Sequence, residues 1–191
     1  ALQCREDLER GIAHVTGVEQ GYYLLHWGWI LQRLVDRRRG LALTEQALKI
    51  AQKLEDEKLK LEVFNNIAGV YLGIGQPQRA FEYYEQALPL MREVGNRAGE
   101  ATTLNNMALV YAGIGQPQQA LEYFEQALPI TREVGNRAGE AATLNNMAAV
   151  YRGIGQPQQA LEYYEQALPI TREVGNRAGE ATTLNNMALV Y

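Results

Sequence analysis

The 191-residue sequence contains no serine, one cysteine, two histidines and three aspartates. The first absence excludes a serine nucleophile, and His14, His26, Asp7, Asp36 and Asp56 do not fall at metal-ligand spacings. Cys4 is alone, so no internal disulfide can form, and a reducing compartment fits. Nothing near it in sequence would activate its thiol. Long apolar runs are missing too. The longest, Gly21 to Leu31, is too short to span a bilayer and carries His26. The start, ALQCREDLERG, has charges where a signal peptide needs an apolar stretch. A basic excess is also lacking: the formal net charge of −4 argues against non-specific nucleic-acid binding, which depends on neutralising phosphates with Lys and Arg. No GxxxxGK phosphate loop occurs; Gly113-Ile114-Gly115-Gln116-Pro117 reads as a turn whose proline removes an amide donor. These absences set the expectation of a soluble, cytoplasmic protein that is not an enzyme, takes no cofactor or metal, and binds neither nucleic acid nor membrane.

What is present is repetition. Residues 101–140 recur at 141–180 with four changes in forty positions, at 61–100 with twelve, and their first eleven residues return unaltered at 181–191. A fixed period of this size signals an array of small supersecondary units. Within 101–140, Leu104, Met107, Ala108 and Tyr111 lie on one helical face. A break follows at Gly113-Ile114-Gly115, and Pro117 suits a helix's first turn because its missing donor would be unpaired there. Ala120, Leu121, Phe124, Ala127 and Leu128 form a second helical run. Gly135 can then adopt a left-handed C-cap and Asn136 can cap the next helix. The unit is a helix–turn–helix hairpin.

The spacings Leu104-x-x-Met107-Ala108-x-x-Tyr111 and Ala120-x-x-x-Phe124-x-x-Ala127 resemble the tetratricopeptide (TPR) signature, with Ala108 and Ala120 where two helices approach closely. The usual period is 34, so this unit is longer by the residues around Ile130 to Asn136. Longer units with a paired Asn-Asn in the first helix resemble the repeats of kinesin light chain and related bacterial signalling proteins, and the resemblance covers residues 21–191. It implies an all-α, right-handed TPR-like solenoid of antiparallel helix hairpins with a 40-residue period, its first helices lining a concave surface.

In chain order, residues 1–20 form a lead-in helix that could be the remnant of an earlier repeat. Residues 21–60 are a degenerate repeat, in which Leu24-x-x-Trp27-Gly28-x-x-Leu31 matches the first helix. Its turn reads Val35 to Gly40, and the cluster Arg33, Arg37, Arg38, Arg39 is read as a solvated turn rather than an anionic docking patch. Its first helix is apolar nearly all round and is expected to be covered on more than one side, with His26 packed among aromatics. Regular repeats follow at 61–100, 101–140 and 141–180. Pro77, Pro117 and Pro157 open second helices; Pro89, Pro129 and Pro169 lie inside them, where a helix continuing with a bend is expected. Glu122 and Glu125 form a solvated face. Residues 181–191 are a first helix without a second, so the chain is expected to be a fragment of a longer array, able to self-associate end to end through the bare stripe Leu184, Met187, Ala188 and Tyr191.

The pairs Asn65-Asn66, Asn105-Asn106, Asn145-Asn146 and Asn185-Asn186 need a reason, because asparagine is a poor helix-interior residue. The later member of each pair is read as structural, bonding adjacent helices. For the earlier member two readings stand: stacking, or, as the resemblance implies, a polar ladder that bonds a partner's backbone. The changes Thr102/Ala142, Leu109/Ala149 and Ala112/Arg152 share the Asn105 face. The candidate partner-binding positions are therefore Asn65, Gly69, Leu72, Thr102, Asn105, Leu109, Ala112, Ala142, Asn145, Ala149, Arg152 and Asn185, with Glu62 flanking them. The carboxylate clamp of chaperone-binding family members would need more basic residues here than Arg152. Two functions are open: a scaffold holding a peptide or helix of a partner protein, or the sensor or autoinhibitory arm of a larger nucleotide-dependent signalling protein.

Overall fold

The computed structural model describes residues 11–12, 14–34 and 37–190, the side chains of 33, 34 and 37 excepted. Among them nine helices and no strands occur: α1 (Gly17–Leu34), α2 (Arg37–Leu54), α3 (Glu57–Gly73), α4 (Pro77–Glu93), α5 (Arg97–Gly113), α6 (Pro117–Glu133), α7 (Arg137–Gly153), α8 (Pro157–Glu173) and α9 (Arg177–Ala188). Two compact units, Ala1–Leu90 and Met91–Tyr191, divide the chain. The lead-in stretch before residue 11, with Cys4, lies outside the described residues.

Local chemistry fixes both loops of each repeat. At the end of α5 the Gln116 N–H donates to Tyr111 O at 2.9 Å and Gly115 N–H to Ala112 O at 3.2 Å. At the end of α6 Asn136 and Gly135 donate to Thr131 and Arg132 in the same way. Each is a Schellman closure, which needs a left-handed residue; Gly115 has φ +76° and Gly135 φ +67°. Asn136 then changes role within the same residue, its Oδ1 accepting from Gly139 N–H at 2.9 Å to cap α7. A Cβ at Gly139 would sit 2.6 Å from the Asn136 amide nitrogen, which explains glycine in the first turn of a helix where it costs propensity. The degenerate repeat departs from this: Glu55 holds the left-handed conformation at φ +53°, and Asp56 replaces asparagine as the cap, accepting from Leu59 N–H at 2.8 Å.

The second helices run unbroken through Pro89, Pro129 and Pro169. Each proline deprives the carbonyl four residues earlier of its donor. Pro129 and Glu125 both lie on the exposed face, so that carbonyl turns toward solvent and the cost is reduced.

Within the second unit each second helix packs on its own first helix and on the next one. Ala108, Ala120, Leu121, Phe124, Met147 and Val150 form one buried cluster spanning α5, α6 and α7. Ala148, Ala160 and Tyr164 form the corresponding contact with α9. The alanines expected at the crossing are fully buried. Each fully buried Leu or Phe side chain in such a cluster contributes about 1.5–3 kcal/mol. In the first unit the equivalent crossing is Gly28 against Gly40, where a Cβ on Gly28 would approach Gly40 O to 2.9 Å. Gly40 and Arg37 belong to α2, so most of the segment read as a turn from sequence is helix, its glycine required by that close approach rather than by chain reversal.

Candidate functional site

The candidate positions recur at spacings of three, four and three, which returns them to one helical face. On α5 and α7 that face is open. Thr102, Leu109, Ala142 and Ala149 are exposed, while Asn105, Ala112, Asn145 and Arg152 are half-buried. On α3 Gly69 and Leu72 are exposed and Asn65 half-buried, and on α9 Asn185 is exposed. The opposite faces carry Leu104, Met107, Leu144 and Met147, all essentially buried.

The earlier asparagines bond between helices. Asn105 Oδ1 accepts from Thr143 Oγ1 at 3.2 Å and from Asn146 Nδ2 at 3.5 Å, joining α5 to α7. Asn145 Oδ1 accepts from Thr183 Oγ1 at 2.9 Å, joining α7 to α9, and its Nδ2 donates to Ala141 O at 3.0 Å. Thr143 and Thr183 are buried. The sequence signal for these threonines is their place two residues before the asparagine pair in three of the four copies, Val63 standing there in the other. In the first unit Thr44 Oγ1 stands 3.5 Å from Asn66 Oδ1.

A second set of polar contacts follows the other edge of the second unit. Arg92 Nε donates to Glu100 Oε1 at 2.7 Å, Arg97 also pairs with Glu100, and Arg97 grips Glu133 with two bonds at 2.7 and 3.2 Å. The pattern repeats through Arg132, Glu140, Arg137 and Glu173. Hydrogen bonds from Arg97 and Arg137 hold the Glu133 and Glu173 carboxyls below their ordinary range.

In the first unit α1 and α3 border a groove of about 870 Å³ lined by Leu25, His26, Trp29 and Gln32 from one helix and by Glu62, Asn65, Asn66, Gly69, Val70 and Gly73 from the other. Three sequence candidates, Glu62, Asn65 and Gly69, therefore meet here. Trp29 is 49% exposed. His26 is exposed, its Nδ1–H donating to Tyr22 O at 2.7 Å. One expectation is thereby corrected, since His26 is not packed among aromatics; α1, apolar nearly all round, packs against both α2 and α3 and still leaves one face open. A helix apolar on every side carries no periodic signal to show which face is free. The forty-residue offset did carry that signal, since Glu62, Asn65 and Gly69 map onto Tyr22, Leu25 and Trp29. At Gly69 an added Cβ would meet nothing within 4 Å, so the groove floor is open where the later repeats carry Leu109 and Ala149.

Of the arginine cluster, Arg38 is exposed and Arg39 half-buried; the side chains of Arg33 and Arg37 lie outside the described residues. Glu122 and Glu125 are exposed. Among the described residues no group of three or more His, Cys, Asp and Glu could hold a metal ion, and no helix is long and apolar enough to cross a membrane.

Antiparallel hairpins that repeat every forty residues and leave one face of each first helix open define an α-helical repeat protein. The sequence matches the tetratricopeptide repeat family over residues 24–93, 59–133, 99–173 and 139–191; the chain belongs to that family. The fold is similar to BtubC (BKLC) from P. vanneervenii, at 25% identity and TM-score 0.83, over 97% of this chain and 78% of that one. It is also similar to a signal transduction ATPase with numerous domains and a tetratricopeptide repeat sensor from Pyrococcus horikoshii, at 15% identity and TM-score 0.89, over 96% of this chain and 29% of that one. A Rap protein complexed with competence and sporulation factor matches at 17% identity and TM-score 0.80, over 95% of this chain and 55% of that one. The chain thus spans less than two thirds of the last two proteins. No curated protein sequence matches it. The likeness to kinesin light chain repeats and bacterial signalling proteins holds at the level of fold.

Proposed function

We propose that this chain is a binding scaffold that holds a peptide or helix of a partner protein against the open faces of its first helices. The observation that carries the reading is the groove between α1 and α3, with its half-exposed tryptophan, polar groups on both walls and open floor at Gly69. Sites of this kind combine apolar area with a few polar groups that fix orientation. The similar Rap protein, complexed with competence and sporulation factor, supports it.

In the second unit the same face offers the asparagine ladder. The Asn105 and Asn145 oxygens are engaged with the next helix, so what they offer a partner is amide hydrogens, and selectivity falls to the flanking residues that differ between repeats. Arg152 would favour an acidic group there. The test is selection from a displayed library of random peptides, followed by titration of those enriched against the chain and against Asn105→Ala and Asn145→Ala. Binding weakened by about 1 kcal/mol or more per substitution, with helicity intact, supports the ladder. Normal binding with early melting makes it purely structural, and a library that yields no binder refutes the scaffold reading. A second reading, the sensor arm of a larger signalling protein, is favoured by the likeness to the sensor-bearing ATPase. Its test is whether ligand binding to this chain changes nucleotide hydrolysis by the protein that carries it.

A further inference from the structure

We propose that the groove of the first unit takes an amphipathic helical segment carrying a basic side chain and, seven residues away, a bulky apolar one. The basic group meets Glu62, and the apolar group fills the space that Gly69 leaves in the groove that Trp29 also lines. This rests on the peptide-binding reading above and deepens it by naming the chemistry of the partner.

Charge sets the first contact. Among the described residues lining the groove, Glu62 is the one carboxylate, no Lys or Arg accompanies it, and it is exposed. The other polar lining groups are three amides and one imidazole. The Nδ1–H of His26 is spent on Tyr22 O, so Nε2 is the ring nitrogen left for a ligand. Gln32, whose Nε2 donates to Thr44 Oγ1 at 3.2 Å, keeps its amide oxygen for a ligand, and Asn65 and Asn66 present amide groups that serve a partner of either sign. Burial first, then the Glu62 and Asp56 carboxylates, hold the Tyr22 phenol above its ordinary range, so two carboxylates act at the end of the groove where Glu62 stands. A cationic group therefore gains attraction there, and a carboxylate meets repulsion.

Shape sets the second contact. Trp29 and Gly69 occupy the same place in successive repeats, one large and one with no side chain. A Cβ added at Gly69 would find open space, and the half-exposed indole lines the same groove. Glu62 and Gly69 are seven residues apart on α3, about 10 Å along the axis at 1.5 Å per residue. A helix laid along the groove repeats its face after seven residues, so its positions i and i+7 match this separation.

The probes are capped alanine-rich peptides of about 20 residues, long enough to hold a helix in water, titrated by fluorescence anisotropy. One carries Arg and Phe seven apart, one Glu and Phe seven apart, and one Arg and Phe five apart, on different faces. The first is expected to bind about tenfold or more tighter than the other two. Glu62→Lys should reverse the order of the Arg and Glu peptides. Gly69→Leu, the residue found at 109, should abolish binding of both while far-UV dichroism and melting are kept, since the added side chain enters open space. Equal binding of the Arg and Glu peptides, or an order unchanged by Glu62→Lys, overturns the inference but leaves the scaffold reading standing on library-selected binders. No binding of any probe overturns it as well.

Discussion

Replacing Tyr164 with phenylalanine should stabilise the protein. Tyr164 is fully buried, and its hydroxyl has no hydrogen-bond partner among the described residues. Burial pushes the phenol's pKa up, with Arg152 opposing only in part. The preceding repeat places Phe124 at the same site, also fully buried, so the pocket accepts the bare ring. A buried hydroxyl left unpaired costs about 1–3 kcal/mol. Removing the oxygen forfeits a few dispersion contacts of ~0.1–0.2 kcal/mol each. The net gain is about 1–2 kcal/mol. For a chain of this size each kcal/mol moves the melting temperature by about 2–4 °C. Arrays of repeats do not always unfold in one step, so calorimetry should be paired with amide exchange across 141–180, where protection should rise most. Combination with Arg152→Ala should be additive, because no bond links the two side chains. A Tyr164→Phe protein less stable by about 1 kcal/mol or more would refute the reasoning, and non-additivity would identify Arg152 as the hidden partner.

Glu55→Gly should raise stability by about 1 kcal/mol in urea denaturation, because a non-glycine residue there holds a left-handed backbone that every later repeat assigns to glycine. Ala108→Leu should overpack the hairpin crossing and cost about 1–3 kcal/mol; an unchanged midpoint would count against the assigned contact. The Glu133, Glu173 and Glu180 carboxyls are held below the ordinary value of 4.5 by hydrogen bonds from Arg97, Arg137 and Arg172. Their stabilisation is therefore complete above that value and is lost as pH falls below it toward the depressed values. Melting temperatures between pH 7 and pH 3 should fall in that window, less steeply in Arg97→Gln. Leu184 is 43% exposed whereas Leu104 and Leu144 are fully buried, so light scattering should detect association at high concentration that Leu184→Gln abolishes.

Much of this architecture was legible because each local signal agreed with the period. Gly135, Asn136, Pro117 and Ala108 all sit where turn, cap and crossing chemistry put them. What escaped were features set between helices. The bond from Thr143 to Asn105 spans 38 positions and leaves no trace in either helix's own pattern, since a threonine in a helix reads as neutral. The groove face of α1 was hidden because Trp29 and Leu25 look equally apolar, and only packing against α2 and α3 decides which is covered. The glycine at 40 was assigned to a turn because glycine in a linear sequence signals chain reversal and close approach alike.

The arginine–glutamate contacts have a consequence for how such a chain can change length. Arg97 reaches Glu133 over 36 positions and Arg92 reaches Glu100 over 8, and the next repeat uses the same separations. Copying a whole forty-residue segment in phase creates no junction of a new kind, because every added donor finds an acceptor already specified. A gain or loss of any other length leaves a cation and a carboxylate facing strangers. Unequal recombination between near-identical copies would therefore be screened by electrostatics for whole units, and a designer could lengthen the second unit by the same rule without choosing a single new residue.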